Sequence, residues 1–348
     1  MAKINPSATP TVRSYMLNDI EVPDTQLLCN IKRFDNYSVS AQDTYTLNQN
    51  VDSHISRPIS KVLENMHPIA NVKTNINITK STTRPIVINA KFDAQNKTLV
   101  DILCITVAQN TNAQVVIKYE GTTNIYHSGL LKIKTCKNSH LDIVIYSNFV
   151  GNNYLNLEDE KEQNSSINYH LIDFASGTTV HNLFANTAGP NTSTTLNTLY
   201  YGDKNAVIDL NYYANLKDLK SSTTFYTIGS LTANATKHYK GTINFVKGAK
   251  GSTGDEDEYC ILLSPKAKAR ALPILLCNEE DVNGSHSTSA GKVDESALFY
   301  LQSRGIQHSN AVRMLIRAQF SKSIERIFDA DVRQLTSKHI NRRINSEN

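Results

Sequence analysis

For about 190 residues beginning near Arg84, no segment of credible length carries the period of a helix. Short apolar alternations recur instead, at Ile86–Ile88, Leu99–Val107, Val115–Ile117, Leu131–Ile133 and Leu141–Ile145, and later at Ile167–Ile172, Val207–Leu210 and Ile243–Val246. Asn, Ser, Thr and Gly separate them and supply the turns. Many short strands with polar corners require an all-β body: a sandwich, a barrel or a β-helix. Spacing alone does not choose among these, because it is too irregular to register as a repeat. The abundant Asn and Thr suit stacked corners, and they equally suit a general compositional bias.

Both flanks differ from this body. Residues 1–80 read as an irregular N-terminal extension with short apolar pieces. One of these, Ile59–Met66, places Ile59, Val62, Leu63 and Met66 on one helical face. Residues 81–290 form the β core, and 291–348 switch to helical periodicity. Asp294 is positioned to cap a short helix that runs through Arg304, with Gly305 at the left-handed C-terminal cap. Ser309 is expected to cap a longer helix whose apolar face runs through Val312, Leu315, Ile316, Phe320, Ile324, Ile327 and Phe328. The tail through Arg342 and Arg343 is basic and is expected to fray.

Bulk properties narrow the function. The net charge of +4 over 348 residues is mild, and the Lys and Arg residues are dispersed, so neither nucleic acid nor a membrane surface is suggested as a partner. No run approaches the roughly 20 apolar residues of a membrane span, and Met1–Arg13 has no apolar signal region. Five scattered cysteines are no disulfide framework, which points to the cytoplasm or a similarly reducing compartment. Gly248, Gly251 and Gly254 lack the Lys-Ser/Thr end of a phosphate-binding loop, so no nucleotide is expected on this chain. The motifs of zinc proteases, thioredoxins and serine hydrolases are missing as well. A β-helix glycosidase with two distant carboxylates stays open as an enzymatic alternative, although the chain has no tryptophan for a sugar platform.

The informative words lie between Tyr239 and Phe320. Tyr239-Lys-Gly begins a strand, Leu262-Leu-Ser264 makes a turn, and Pro273-Ile-Leu-Leu-Cys277 leads towards His286. Leu298-Phe-Tyr-Leu-Gln-Ser-Arg-Gly305 then opens the helical part. In order and spacing this quarter of the chain resembles the C-terminal core of the SufB/SufD family, in a compact form. The resemblance implies a right-handed parallel β-helix followed by a helical domain. It also implies a non-catalytic scaffold for iron–sulfur cluster assembly, which holds a cluster transiently. By the same resemblance the scaffold pairs through its β-helix with a second copy or a SufB/SufD paralogue, and docks a SufC-type ATPase through its C-terminal helices.

Carried onto this sequence, the resemblance makes His286 the interface histidine, and an imidazole is a competent iron ligand. Its neighbours Ser285 and Ser287 are nearer the SufD pattern than the glutamates of SufB-like proteins. Glu258 stands where SufB-like proteins carry a cysteine, so it is either a harder, more labile ligand or part of a solvated acidic turn with Asp255, Glu256 and Asp257. Cys260, two residues on, faces the same side of a strand and is either a substitute thiolate or a small buried hydrophobe. Cys277 and Glu279 place a soft and a hard donor just before His286 and are preferred to Cys260 as ligands. Cys29, Cys104 and Cys136 are expected in the core. Leu298, Phe299, Tyr300, Arg304 and Gly305, with Leu315 and Ile316 on the longer helix, are the candidate ATPase contacts. The simpler reading of the apolar members is packing of the helices onto the body. A SufD-like partner that holds no cluster alone remains the alternative within the family.

Overall fold

The computed structural model describes residues 2–4, 20–22, 31–40, 45–48, 69–122 and 124–345. Ile59–Met66 and Cys29 lie outside these. From Val72 to Gly291 the chain winds as a parallel β-solenoid of about eight coils. Each coil gives one strand to each of two sheets. The first sheet runs from Ile86–Lys91 to Val282–Gly291, the second from Val72–Ile78 to Lys268–Cys277. The first coil therefore starts before residue 81, at which the sequence reading places the body's onset. At that end each sheet is extended by an antiparallel strand, Tyr37–Ser40 on the first and Tyr45–Asn48 on the second. Among the described residues no further strand follows Lys268–Cys277 or Val282–Gly291 in either sheet.

Strict alternation sends one set of side chains into the lumen, where Ile, Leu, Val, Phe and Tyr stack coil upon coil into one continuous core. The opposite set faces outward. A corner is made once per coil by a residue in the left-handed region: Asn110, Asn138, Asn164, Asn191, Lys220 and Gly251, all with φ between 53° and 72°. Asn tolerates this conformation better than most residues. The four asparagines also stack: the side-chain amides of Asn138, Asn164 and Asn191 each donate to the Oδ1 of the one before at 2.9–3.1 Å. The abundance of Asn is thus structural at these corners.

Three helices follow: α1 (Glu295–Ser303), α2 (His308–Glu325) and α3 (Ala330–Asn345). The Asp294 side chain caps α1 by accepting from the backbone N–H groups of Ser296 and Ala297, and Gly305 follows it at φ +85°. Two expectations need correction. Helix α2 begins at His308 after Gln307, without a side-chain cap, so Ser309 lies inside it. The basic tail is a third helix, not a frayed end. Val332, Thr336, Ile340 and Ile344, spaced by four, bury one face of α3. Arg343 donates to the Phe174 carbonyl at 2.7 Å and to Ser176 Oγ at 3.2 Å, and pairs with Asp203. Tyr146 on the sheet hydrogen-bonds His339. Together α2 and α3 cover the outer face of the first sheet, with Ile316, Phe320, Ile327 and Ile340 against Tyr146, Phe174, Leu199, Tyr201 and Ile228. No helix of the described residues is long and apolar enough to cross a membrane.

The Asn corners generate the first prediction. Asn164→Ala is expected to lower the free energy of unfolding in urea by about 2 kcal/mol, through left-handed strain and two lost ladder bonds. Asn164→Gly, which keeps the backbone conformation, should recover about half of that loss. An alanine variant as stable as the wild type would remove the corner from the determinants of the fold.

Candidate functional site

The residues singled out from the sequence gather at the C-terminal end of the solenoid, in its last two coils. Ser252–Leu262 is a regular strand, not a solvated acidic turn. Its acids alternate. Asp255 and Asp257 point out to solvent, while Glu256 and Glu258 point into the lumen with Ser252, Gly254 and Cys260.

Glu258 is buried and accepts a 2.6 Å ion pair from the equally buried Lys237 on Thr236–Phe245. Burial pushes its carboxyl up, and Lys237 opposes that shift. Cys260 lies on the same side, as the spacing requires, and is fully buried. Burial drives its thiol up to about 11, against the opposing pull of Lys237 and Tyr200. At neutral pH it is a protonated, small hydrophobic group rather than a thiolate ligand. A cavity of about 210 Å³ is lined here by Lys237, Glu258 and residues 269–271 and 288–290 of the last two strands.

His286 lies in the last strand, Val282–Gly291, directly over Glu256 in the ladder, and is exposed. Cys277 ends the preceding strand and is exposed, in register with Phe245. Glu279, in the turn that follows, accepts from the backbone N–H groups of Gly248 and Glu280, and these bonds hold its carboxyl below the usual range. It is engaged in closing a corner. Cys104 and Cys136 are half-buried, and none of the four described cysteines is in a disulfide. Among the described residues no group of three or more His, Cys, Asp or Glu side chains is placed to hold a metal ion. The structure thus brings Glu258 and Cys260 together inside the lumen, leaves His286 at its mouth, and sets Cys277 and Glu279 at the corner leading into the last strand.

The residue that sequence reasoning passed over is Glu256. It is 1% exposed, and neither carboxylate oxygen has a well-formed hydrogen bond. It lies against Gly241, where a Cβ would stand 1.8 Å from its Oε1. Burial raises its pKa to about 7; the neighbouring Tyr239 hydroxyl favours the charged form, and Glu258 and Asp257 oppose it. The available signal was the period of two beneath an unbroken acidic run.

The candidate docking residues divide. Helix α1 buries none of its side chains; Phe299 is 73% exposed and Tyr300 57%, with the Arg304 guanidinium 5.3 Å from the Tyr300 ring centre. Gly305 is exposed and Leu298 half-buried. Leu315 is half-buried, and Ile316 is buried against the first sheet, so the α2 face proposed for the ATPase is spent on the chain's own body. Packing onto the body, the simpler reading of the helical word, holds for α2 and not for the aromatics of α1.

Comparison of the sequence with known proteins finds one family and several relatives. A family model described as SUF system FeS cluster assembly, SufBD core domain, matches residues 90–319. The iron-sulfur cluster assembly protein SufD of Bacillus subtilis (strain 168) is 36% identical over 88 residues, 25% of this chain and 20% of that protein. SufD of Escherichia coli (strain K12) is 23% identical over 246 residues, 69% of this chain and 58% of that one. The chloroplastic protein ABCI7 of Arabidopsis thaliana is 25% identical over 181 residues, 51% and 38% of the two chains. The chain matches between about a fifth and three-fifths of the length of these relatives.

Glu256 gives a pH prediction. A carboxyl whose folded pKa exceeds its unfolded value stabilises the fold while protonated. That contribution is complete below about pH 4.5 and is lost as pH rises through about 7. In metal-free buffer, the unfolding free energy of wild type relative to Glu256→Gln should fall by on the order of 2–3 kcal/mol between pH 5 and pH 8. Parallel pH profiles for the two proteins would show that Glu256 does not titrate in this way.

Proposed function

The chain belongs to the SufBD family, and from that premise we propose that it is a non-catalytic scaffold subunit for iron–sulfur cluster assembly. In this role it pairs with a second copy or a SufB/SufD paralogue through the open end of its solenoid, and docks a SufC-type ATPase through its C-terminal helices. The observation that carries the reading is the uncapped last coil. An edge strand offers a row of unpaired backbone groups and is a template for another chain. Here the edge also exposes His286 and Cys277. A joint between two such ends would collect donors from both partners, which suits a cluster that is built and then released. Iron and sulfide are then cargo, not a resident cofactor.

For the ATPase, α1 is the favoured contact, since an exposed Phe-Tyr pair flanked by arginine is the composition of an interface anchor. Nucleotide chemistry belongs to the partner, and described cysteines without a disulfide suit a reducing compartment such as the cytoplasm. A second reading within the family is a SufD-like structural partner that holds no cluster alone. It is favoured by the relatives named SufD and by the lack of a three-ligand group among the described residues.

Co-expression without oxygen with the SufC-type ATPase of the same genome should yield a complex that survives purification. Phe299→Asp combined with Tyr300→Asp should weaken it at least tenfold while leaving the melting temperature of the free chain unchanged. Full binding by that variant would move the docking surface away from α1. No complex from a folded wild-type sample would overturn the scaffold reading. Anaerobic reconstitution of the chain alone separates the two family readings: a brown, oxygen-sensitive product supports the scaffold, and a colourless one the SufD-like partner.

A further inference from the structure

The outer face of the first sheet is divided lengthwise. Helices α2 and α3 pack on its middle and downstream ranks, through Val144, Tyr146, Ile172 and Leu199. The two ranks at the upstream end of the strands carry short polar side chains instead, with Ser193, Ser222 and Thr253 in the first and Thr195 and Thr224 in the second. All five are half-buried or exposed. At one place this stripe changes character. His140 stands directly beneath Ser166 in the ladder, with Asp142 two residues further along its own strand.

The His140 ring is engaged at both nitrogens. Nδ1 lies 2.6 Å from Ser166 Oγ, and Nε2 lies 3.0 Å from Asp142 Oδ1. Asn168, two residues beyond Ser166, donates its side-chain amide to the same Asp142 oxygen at 2.9 Å. Burial alone would raise the Asp142 carboxyl, but hydrogen bonds from His140, Asn168 and Gln114 hold it below the usual carboxylate range. A carboxylate only accepts, so Nε2 carries the proton of the neutral ring and Nδ1 is left to accept from the Ser166 hydroxyl. Nucleophile, base and orienting acid thus stand in series, the arrangement that activates a serine. The His140 side chain is 33% exposed and that of Asp142 21%, and Ser166 is half-buried, so a small reactant reaches the group from solvent. No nucleophile-elbow motif marks this serine, because the register of the coils, not a turn, brings it to a histidine 26 residues away.

We propose that Ser166, His140 and Asp142 form an acyl-transfer site on the outer face of the solenoid, acting on short acyl groups carried as esters or thioesters. Ser166 Oγ attacks the acyl carbonyl carbon while its proton passes to His140 Nδ1. The C–O or C–S bond to the leaving group then breaks, and His140 returns the proton to the departing alcohol or thiol. Water attacks the acyl-serine with the same nitrogen as base, which frees the carboxylic acid and restores the Ser166 hydroxyl. Asp142 touches no reactant; it is a positioning residue that fixes the tautomer and the tilt of the ring. The Ser166 backbone N–H is spent on the Ser139 carbonyl, so stabilising the charge on the acyl oxygen falls to side chains. Ser193 stands over Ser166, one ladder step of about 4.8 Å away, and offers a hydroxyl. A hydroxyl in place of a pair of amide donors implies slow turnover. The shallow setting buries little of a substrate, hence the short acyl group.

A fluorophosphonate probe tests the nucleophile on the full-length chain, without the ATPase or a cluster. Attack by Ser166 Oγ forms a P–O bond and expels fluoride, and the hydroxyl proton leaves through His140. One label per chain is expected, placed on Ser166 by peptide mass spectrometry. Ser166→Ala should take up none, and His140→Ala should label at least tenfold more slowly. Hydrolysis of p-nitrophenyl acetate should fall at least tenfold in either variant. Asp142→Asn should lower kcat with KM unchanged, whereas loss of a merely structural acid would leave kcat alone. Ser222→Ala, two coils on in the same rank, should behave as wild type. No label on the wild type, a label on another residue, wild-type labelling in His140→Ala or wild-type kcat in Asp142→Asn would each overturn the proposal. The three side chains point away from the lumen, so the variants are expected to keep the wild-type melting temperature; if one of them does not fold, the other two carry the test. The outcome is independent of the scaffold reading, which rests on the open end of the solenoid and on α1.

Discussion

Everything in this molecule hangs on the parallel hydrogen-bond ladder between successive coils. Each strand satisfies its backbone groups only through the coil below and the coil above, so stability is local and passes from neighbour to neighbour. Such a ladder has two ends, and each must be dealt with. At the N-terminal end an antiparallel strand on each sheet takes up the free groups. At the C-terminal end no strand of the described residues does so. Pro273 in the last strand of the second sheet lacks an N–H, which makes that edge poorer as an indiscriminate template. The last strand of the first sheet, with Ser, Thr, Gly and Ala around His286, keeps its groups and presents no bulky side chain to block an approaching partner.

Stacking also decides what the lumen can contain. A residue placed inward meets the same column in the coils above and below, so a charged residue must find its counter-charge there or stay neutral. Lys237 and Glu258 meet this demand as a pair, and removing either partner alone would strand a buried charge at a cost of about 3–5 kcal/mol. The middle coils meet it with hydrogen-bonded polar chains: Asn153 links His127 to Asp173, and Tyr119 donates to Asp101. Glu256 has the Tyr239 hydroxyl beside it, but neither of its oxygens makes a well-formed hydrogen bond. Its position beneath an open coil is what makes that tolerable, because its remaining neighbour in the column is reachable from solvent.

Much of this was legible in the sequence. The alternation that sets inward against outward faces could be read directly, as could the Asp294 cap and the Gly305 stop of α1. The coil period could not. Successive residues of one column are separated by as few as 26 positions, from Ile143 to Tyr169, and as many as 31, from Phe225 to Glu256. Corners absorb the difference, and a varying corner erases a repeat that the ladder keeps in space. The third helix was hidden because its apolar stripe is thin and sits among Lys338, Arg342 and Arg343; only the sheet supplies the other half of its core. The site was half legible. Family words located His286, yet four consecutive acids masked the period of two that separates Glu256 and Glu258 from Asp255 and Asp257.

The helical part then acquires a mechanical meaning. Helices α2 and α3 lie across the outer face of the first sheet, and their contacts range from Val116 to Ile261, so they clamp many coils at once. Helix α1 takes no part in that clamp. It is joined to the last strand through residues 292–294 and to α2 through the turn after Gly305. Its aromatic pair is therefore fixed at both ends to rigid elements while making no buried contact of its own. A partner seated on Phe299 and Tyr300 would sit one short connection from the strand that carries His286, at the end of the sheets that no described strand covers. Partner docking and the chemistry of the open coil are adjacent in the chain because the last strand, having no successor in the sheet, runs directly into the helix.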